Sequence, residues 1–464
     1  MNTIIISLYL IVCLFLTACQ IMPVNDQVDV DMPANWDQAS IEANTWPASD
    51  WWQNFGSNEL NQLMLEAKQN NLDLSAATFR VLQAEAKARL AGVPLLPSID
   101  LDGGISRQDR IAGNTTTGAT NSFDVSLGAS YEVDFWGKNK AALVSAQESL
   151  RASQFDKATV ALTMTSSVAT TYLQVLSLRE RISIANLNLE NAENVLKLVE
   201  SRVKFGAASP LDQAQQRVIV ARQRAVIPPL EQQERDARSA LAVLLGKPPQ
   251  GFDITLTSLN DIQLPQVVAG LPSELLTRRP DIQSAEAQLR AANADVAAAR
   301  AAYFPSITLT GSAGLASTAL SSLIDGGLLY NIAASIAQPI FDAGEREAQE
   351  DIANARQEEL VQTYRSSIIN AFADVETALG TIKSTSEQKT HQTEQLKQAN
   401  IAFELAQRRY KEGAEDLLTV LNAQSTLYTV QDQLLQINFN YLQTIVSLYR
   451  ALGGGWDTTA YAQQ

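Results

Sequence analysis

The spacing of apolar residues ahead of two glycine turns limits this chain more than any other feature. Apolar or small residues fall at Leu189, Ala192, Leu196, Val199 and Val203, in alternating steps of three and four, and the chain then reaches Gly206. The pattern returns 207 positions later at Leu396, Ala399, Phe403, Ala406 and Tyr410, ahead of Gly413. A repeat of about 3.5 residues keeps one seam of a helix facing a partner, so each copy reads as a coiled-coil helix ending at a turn. An offset held in register over so long a distance means that one unit is written twice.

Each copy follows the same order. Glu59 to about Leu90 has a helical pattern that Pro94 and Pro97 end. The period then changes to two: Ile99, Leu101, Gly103 and Ile105 alternate with Asp100, Asp102, Gly104 and Ser106. After a loop expected from Gln108 to Asn121, Phe123, Val125, Leu127, Ala129, Tyr131, Val133 and Phe135 alternate with polar or small residues. The second copy opens its strands with Phe304-Pro305-Ser306-Ile307, matching Leu96-Pro97-Ser98-Ile99, and closes with a strand expected over Leu328–Phe341. Long proline-free helices are expected over Lys138–Phe205 and Glu345–Glu412, each a rod of roughly 100 Å at the helical rise. Return helices run to Leu245-Gly246 and Leu452-Gly453, and Pro228-Pro229 is expected to break and kink the first of them.

The domain reading is residues 1–18 as a signal peptide, 19–58 as an extended strap without a core, 59–247 as the first repeat, 248–272 as a linker, 273–456 as the second repeat and 457–464 as a tail. The fold class is mainly α, duplicated, with four amphipathic strands. Four such strands leave two sheet edges and one large apolar face. An open sheet cannot stand in lipid, because its edge amides would have no partner. A barrel shared among several copies, apolar side outward, resolves both problems. Phe123, Phe135, Trp136, Tyr303, Phe304 and Phe341 are then candidate interfacial aromatics.

Composition narrows the function. A net charge of −15 argues against nucleic acid as a partner. Hydrophobic residues make up 46% of the chain, which excludes a mainly disordered one. Both cysteines lie in the first 19 residues and there is one histidine, His391, read as a solvated helix-surface residue. No metal site and no cofactor are expected. The apolar stretch Ile4–Ala18 is shorter than the ~20 residues that a spanning helix needs and reads as a signal-peptide core. Leu16-Thr17-Ala18-Cys19 resembles a bacterial lipobox, which implies lipidation of Cys19 and, with Gln20 after it, export to the outer membrane.

Further stretches carry a wider resemblance: Trp51-Trp52-Gln53-Asn54-Phe55, Arg278-Arg279-Pro280-Asp281-Ile282, Tyr303-Phe304-Pro305-Ser306, Arg409-Tyr410-Lys411-Glu412-Gly413, Leu421-Asn422-Ala423-Gln424 and Leu452-Gly453-Gly454-Gly455-Trp456. They spread over nearly the whole mature chain. In them the chain resembles TolC-type outer-membrane efflux channels, in the NodT/OprM-like lipoprotein branch. The resemblance implies a homotrimer with a 12-stranded barrel and an α-helical periplasmic tunnel. It also implies a periplasmic adaptor and an inner-membrane RND-type transporter as partners, with outer-membrane lipid around the barrel.

By the same resemblance the tunnel closes at the helix tips. Asp212 falls on a gate aspartate and Tyr410 on its tyrosine partner. Glu415 stands where the family has an arginine, so that ion pair cannot form here. Thr419 and Asn422 stand where the family has paired carboxylates, and neither is charged. Glu415 and Asp416 are left as an acidic ring or as helix caps, since acids suit helix N-termini.

Nothing points to an enzyme. The phosphate-binding, zinc-protease and nucleophile-elbow motifs are absent, and Ser201-Arg202-Val203-Lys204 fits a Ser-x-x-Lys pattern by chance inside the coiled-coil helix. A duct for small-molecule efflux is the main expectation. A protein-secretion duct and a periplasmic coiled-coil adaptor are the alternatives.

Overall fold

The computed structural model describes residues 33, 36–37, 46–112, 115–265, 272–325 and 327–456. The signal peptide, Cys19 and the 457–464 tail lie outside the described residues. The α-helices longer than four residues are α1 Asn58–Asn70, α2 Leu72–Gly92, α3 Lys138–Lys204, α4 Pro210–Leu244, α5 Pro280–Ala301, α6 Glu345–Glu412 and α7 Leu417–Ala451. The strands are β1 Ser98–Ala112, β2 Thr115–Val133, β3 Ser306–Ser317 and β4 Leu328–Ala337. Among the described residues no helix is long and apolar enough to cross a membrane.

The chain forms two compact units. One comprises Val81–Ser153 and Ser284–Arg365 and holds the sheet. Its four strands are antiparallel in the order β1-β2-β3-β4, so β1 and β4 each keep one unpaired edge. The register aligns Leu101, Leu127, Ala313 and Tyr330 in one row, and Ile99, Ala129, Gly311 and Ile332 in the next. One face is therefore apolar across all four strands, and it is bare: Leu101 is 74% exposed and Ile332 is 84% exposed. The other face carries Asp100, Asp102, Asp124, Glu132, Thr308, Thr310 and Ser312.

Three strand limits differ from expectation. The loop expected over Gln108–Asn121 is largely ladder. β1 and β2 continue through a bulge between Gln108 and Arg110 to the pair Ala112–Thr115, because the β-branched run Thr115-Thr116-Thr117 suits a pleated strand. β2 stops at Val133, short of Phe135. There the Asp134 carboxylate turns away to accept the Asn139 and Lys140 backbone N–H groups at 2.9 and 2.8 Å, capping α3. β4 stops at Ala337, two residues before Pro339, which has no N–H to donate.

The second unit comprises Asp31–Arg80, Gln154–Gln283 and Ser366–Gln464. Its largest core packs Trp51, Phe55, Leu60 and Met64 against Tyr172, Leu173 and Leu176 of α3, Leu241 of α4, and Ile445 and Tyr449 of α7. The end of the strap thus contributes to the core, which corrects the expectation of an extended segment without one for Trp51–Phe55: it forms a 3-10 helix and Trp51 stacks on Tyr449 at 5.0 Å. Burying large aromatic surface outweighs the cost of ordering the segment. The single helix expected from Glu59 to Leu90 is broken at Asn71. Its amide donates to the Leu244 carbonyl at 2.8 Å and accepts from the Leu74 N–H at 2.9 Å, so tertiary and capping bonds replace helix continuity.

α4 runs unbroken through Pro228 and Pro229, against the expected break. The carbonyls that lose their helical partners belong to Arg224 and Ala225, which are exposed like the prolines, so water can take them.

The described part of the linker is pinned to α1 and to the long helices. Arg179 bonds Glu234 at 3.0 Å, Asp253, and the carbonyls of Ile254 and Leu256 at 2.7 and 3.0 Å. Glu180 accepts from Ser258 and Leu259 at 3.1 and 3.0 Å. Glu59 accepts from the Thr255 hydroxyl at 2.7 Å, the Leu256 N–H at 3.2 Å and the Tyr172 hydroxyl at 3.0 Å. Burial pushes the Glu59 carboxyl up, but these bonds outweigh it and hold it below its ordinary value. A depressed carboxyl stabilises the fold above its unfolded pKa, and the contribution is lost as pH falls through the folded one. Glu59→Gln is therefore expected to cost about 1 kcal/mol at pH 7, after allowance for partial exposure. Denaturation of parent and variant should show that gap closing below pH 4.5; a gap that persists in acid refutes the charged anchor.

Candidate functional site

The helix tips pack on a small core in the second unit. Ala192, Val195 and Val199 of α3, Val220 of α4, Ala399, Phe403, Ala406 and Tyr410 of α6, and Val420 and Leu421 of α7 are buried together. The duplicated seam of threes and fours is this core, and seam residues Leu189, Leu196, Val203 and Leu396 pack against its rim. Polar layers interrupt it. The Gln216 amide donates to the Ala192 carbonyl at 2.9 Å, and the Gln424 amide donates to the Tyr428 hydroxyl at 2.9 Å. Burial pushes the Tyr428 hydroxyl up to about 12.

At the first turn, Ser209 and Asp212 form a capping box. The Asp212 carboxylate accepts the Ser209 N–H at 2.7 Å, and the Asp212 N–H donates to the Ser209 hydroxyl at 3.2 Å. Asp212 is thus engaged by its own turn and bears on Tyr410 only through its charge. At the second turn, Asp416 is the N-cap of α7, accepting the Thr419 N–H at 2.9 Å and hydroxyl at 2.8 Å. These two bonds hold the Asp416 carboxyl below its ordinary value. Glu415 does not cap the backbone. It pairs with Arg409 at 3.4 Å, and its other oxygen lies 3.3 Å from the Thr419 hydroxyl, whose single proton goes to the nearer Asp416. Asn422 lies exposed beyond Thr419 on α7, and its carbonyl accepts the Thr426 hydroxyl at 2.8 Å.

Tyr410 is buried, with the Arg202 guanidinium 4.5 Å from its ring centroid. Arg202 also donates to the Tyr410 carbonyl. Burial pushes the Tyr410 hydroxyl up, Arg202 draws it back and Asp212 adds to the rise. The sequence reading passed over Arg202. Its signal was its pairing with Arg409 at the repeat offset of 207, with no partner in view.

In the sheet unit, Phe135 meets Trp136 edge-on at 4.8 Å, and Trp136 stacks on Phe304 at 4.7 Å while donating to the Pro305 carbonyl at 2.8 Å. Tyr303 and Phe304 are half-exposed, and Phe341 stands out at 88% exposure. Phe123 is apart from this group, paired along the ladder with Ile105 and Ser317. Five of the six aromatics thus lie just outside the strand ends, at Phe135, Trp136, Tyr303, Phe304 and Phe341. Among the described residues no group of three or more His, Cys, Asp or Glu side chains is placed to hold a metal.

A family model described as "Outer membrane efflux protein" matches residues 63–247 and 271–454, one match per repeat. The pyoverdine export outer membrane protein OpmQ of Pseudomonas aeruginosa is 47% identical over 457 residues, 96% of each chain. The cation efflux system protein CusC of Escherichia coli K12 is 34% identical over 452 residues, covering 96% of this chain and 98% of CusC. The open-state structure of the MtrE outer membrane channel of Neisseria gonorrhoeae superposes with a TM-score of 0.86 at 29% identity, covering 94% of this chain and 98% of MtrE. These proteins are channels and efflux components, and no catalytic family is indicated. With the duplicated rods, the amphipathic four-stranded sheet and matches over nearly the full length, the chain belongs to the outer membrane efflux protein family.

Proposed function

We propose that three copies of this chain form the exit duct of a tripartite efflux pump, each lending four strands to a 12-stranded barrel and its helices to a periplasmic tunnel. The observation that carries the reading is the bare apolar face across β1–β4 between two unpaired edges. Closure with further copies would satisfy the edges and turn that face to lipid. Asp100, Asp102, Asp124 and Glu132 would then line the lumen. Phe123, Phe135, Trp136, Tyr303, Phe304 and Phe341 would sit at the interfaces, and a lipidated Cys19 would anchor the strap. A periplasmic adaptor and an inner-membrane RND-type transporter would deliver the cargo, so the duct itself selects little. Small molecules such as drugs, dyes or metal ions are preferred to proteins as cargo, because OpmQ and CusC are named for pyoverdine export and cation efflux. The OpmQ likeness adds pyoverdine to that class.

The helix tips would close the tunnel, with Asp212, Tyr410, Glu415, Asp416, Thr419 and Asn422 around the opening. Outer-membrane extracts should contain a heat-resistant trimer that conducts ions in planar bilayers. Glu415→Ala and Asp416→Ala should lower its cation preference, since each removes three carboxylates by symmetry. Unchanged selectivity in both would leave these residues as structural groups only; a soluble monomer without conductance would end the duct reading.

A further inference from the structure

Arg202 and Arg409 occupy equivalent places in the two repeats, 207 positions apart, one turn before Gly206 and Gly413. Their side chains nevertheless do different things. Arg409 stays within its own turn, its Nε 3.4 Å from Glu415. Arg202 leaves its repeat and crosses to the other, stacking on the Tyr410 ring at 4.5 Å and donating to the Tyr410 carbonyl. The asymmetry has a cause in the sequence. The repeat counterpart of Tyr410 is Val203, which offers Arg409 no ring. Only one of the two possible crossings can therefore be built.

We propose that Arg202 is the positioning residue that latches the second tip to the first within one chain and holds the tunnel entrance narrow. The inference rests on the duct reading. Three features support the latch. First, the carbonyl that Arg202 holds also accepts the Gly413 N–H at 3.0 Å, so the guanidinium grips the last turn of α6 where the chain reverses. Second, the Tyr410 hydroxyl is buried without a hydrogen-bond partner among the described residues. The ring is thus held by packing and by the cation, and not by its hydroxyl. Third, Glu415 puts a negative charge where the resemblance led one to look for an arginine, and it is occupied with Arg409. The positive charge at the tyrosine arrives from the opposite repeat. A guanidinium is suited to the task, because it can stack face-on and donate in plane at once, which an ammonium cannot.

The test is single-channel recording of purified trimers with Arg202→Ala, Arg202→Lys and Tyr410→Leu, with trimer heat resistance measured on the same samples. A partly desolvated cation–π contact shifts an equilibrium by roughly tenfold, so Arg202→Ala should raise the open fraction about tenfold over the parent. Arg202→Lys should fall between the two, and so should Tyr410→Leu, which removes the ring but keeps the carbonyl that Arg202 holds. The double variant Arg202→Ala/Tyr410→Leu should open no further than Arg202→Ala alone. A merely structural role would lower heat resistance without this ordering. Parent-like recordings from intact Arg202→Ala and Tyr410→Leu trimers overturn the latch and leave the duct standing. If Arg202→Ala does not assemble, Tyr410→Leu decides by the same comparison. A parent protein that forms no pore removes duct and latch together.

Discussion

Gly453→Ala is expected to destabilise the assembled protein by at least about 3 kcal/mol, or to prevent its accumulation. Gly453 has a φ of +73°, and an added Cβ would stand 2.3 Å from the Arg278 carbonyl oxygen. Gly246, its counterpart in the first repeat, has a φ of +69° and the same 2.3 Å approach, to the Asn70 carbonyl oxygen. Each repeat therefore ends where a helix stop presses against backbone, which cannot swing aside as a side chain would. Gly251 separates the two costs. Its φ is +75°, but nothing lies within 4 Å of the added atom. Gly251→Ala should carry only the left-handed penalty of about 1–2 kcal/mol. Thermal dissociation of the three proteins in detergent measures the difference. A Gly453→Ala protein no weaker than Gly251→Ala would mean that the close approach relaxes freely.

The second large effect concerns which face of the sheet meets lipid. Leu127 lies in the apolar row between Leu101 and Ala313, and Ser126 lies on the polar face between Asp102 and Gly314. Leu127→Arg should cost about 2–4 kcal/mol in each subunit if that row sits near the bilayer midplane. Ser126→Arg, one residue away, should be tolerated, because in the proposed duct it would project from the polar, acidic face into a wet lumen. The amount of each variant in outer-membrane fractions, with the heat resistance of its trimer, reads the contrast. If Ser126→Arg is lost and Leu127→Arg accumulates, the apolar face is not the lipid face.

Much of the fold was legible because helices and strands impose their period on neighbouring residues. The 3.5-residue seam was read as a contact surface, and its members from Ala192 to Tyr410 pack in the tip core. Long helices were expected over Lys138–Phe205 and Glu345–Glu412, and α3 and α6 run Lys138–Lys204 and Glu345–Glu412. Limits set by distant partners were not legible. Asn71 breaks a good helical pattern because the Leu244 carbonyl waits for its amide. Trp51-Trp52 looked like part of a polar strap until the core closed over it. Pro228-Pro229 looked like a break, but the carbonyls they orphan lie among exposed residues.

At the tips, Asp416 was placed between capping and gating from sequence, and it caps α7 with its carboxylate. Glu415, given the same two options, does not cap the backbone and pairs with Arg409.

The sequence by itself determined the duplication, the periods of rods and strands, and the sidedness of the sheet, because each is a pattern among residues close along the chain. Tertiary structure alone decided that Arg202 reaches Tyr410 while its twin Arg409 does not, and that Arg179, Glu180 and Glu59 hold the linker. Those contacts join residues roughly 75 to 208 positions apart. A side chain's choice among such partners depends on where packing leaves a donor facing an acceptor, and no local period records it.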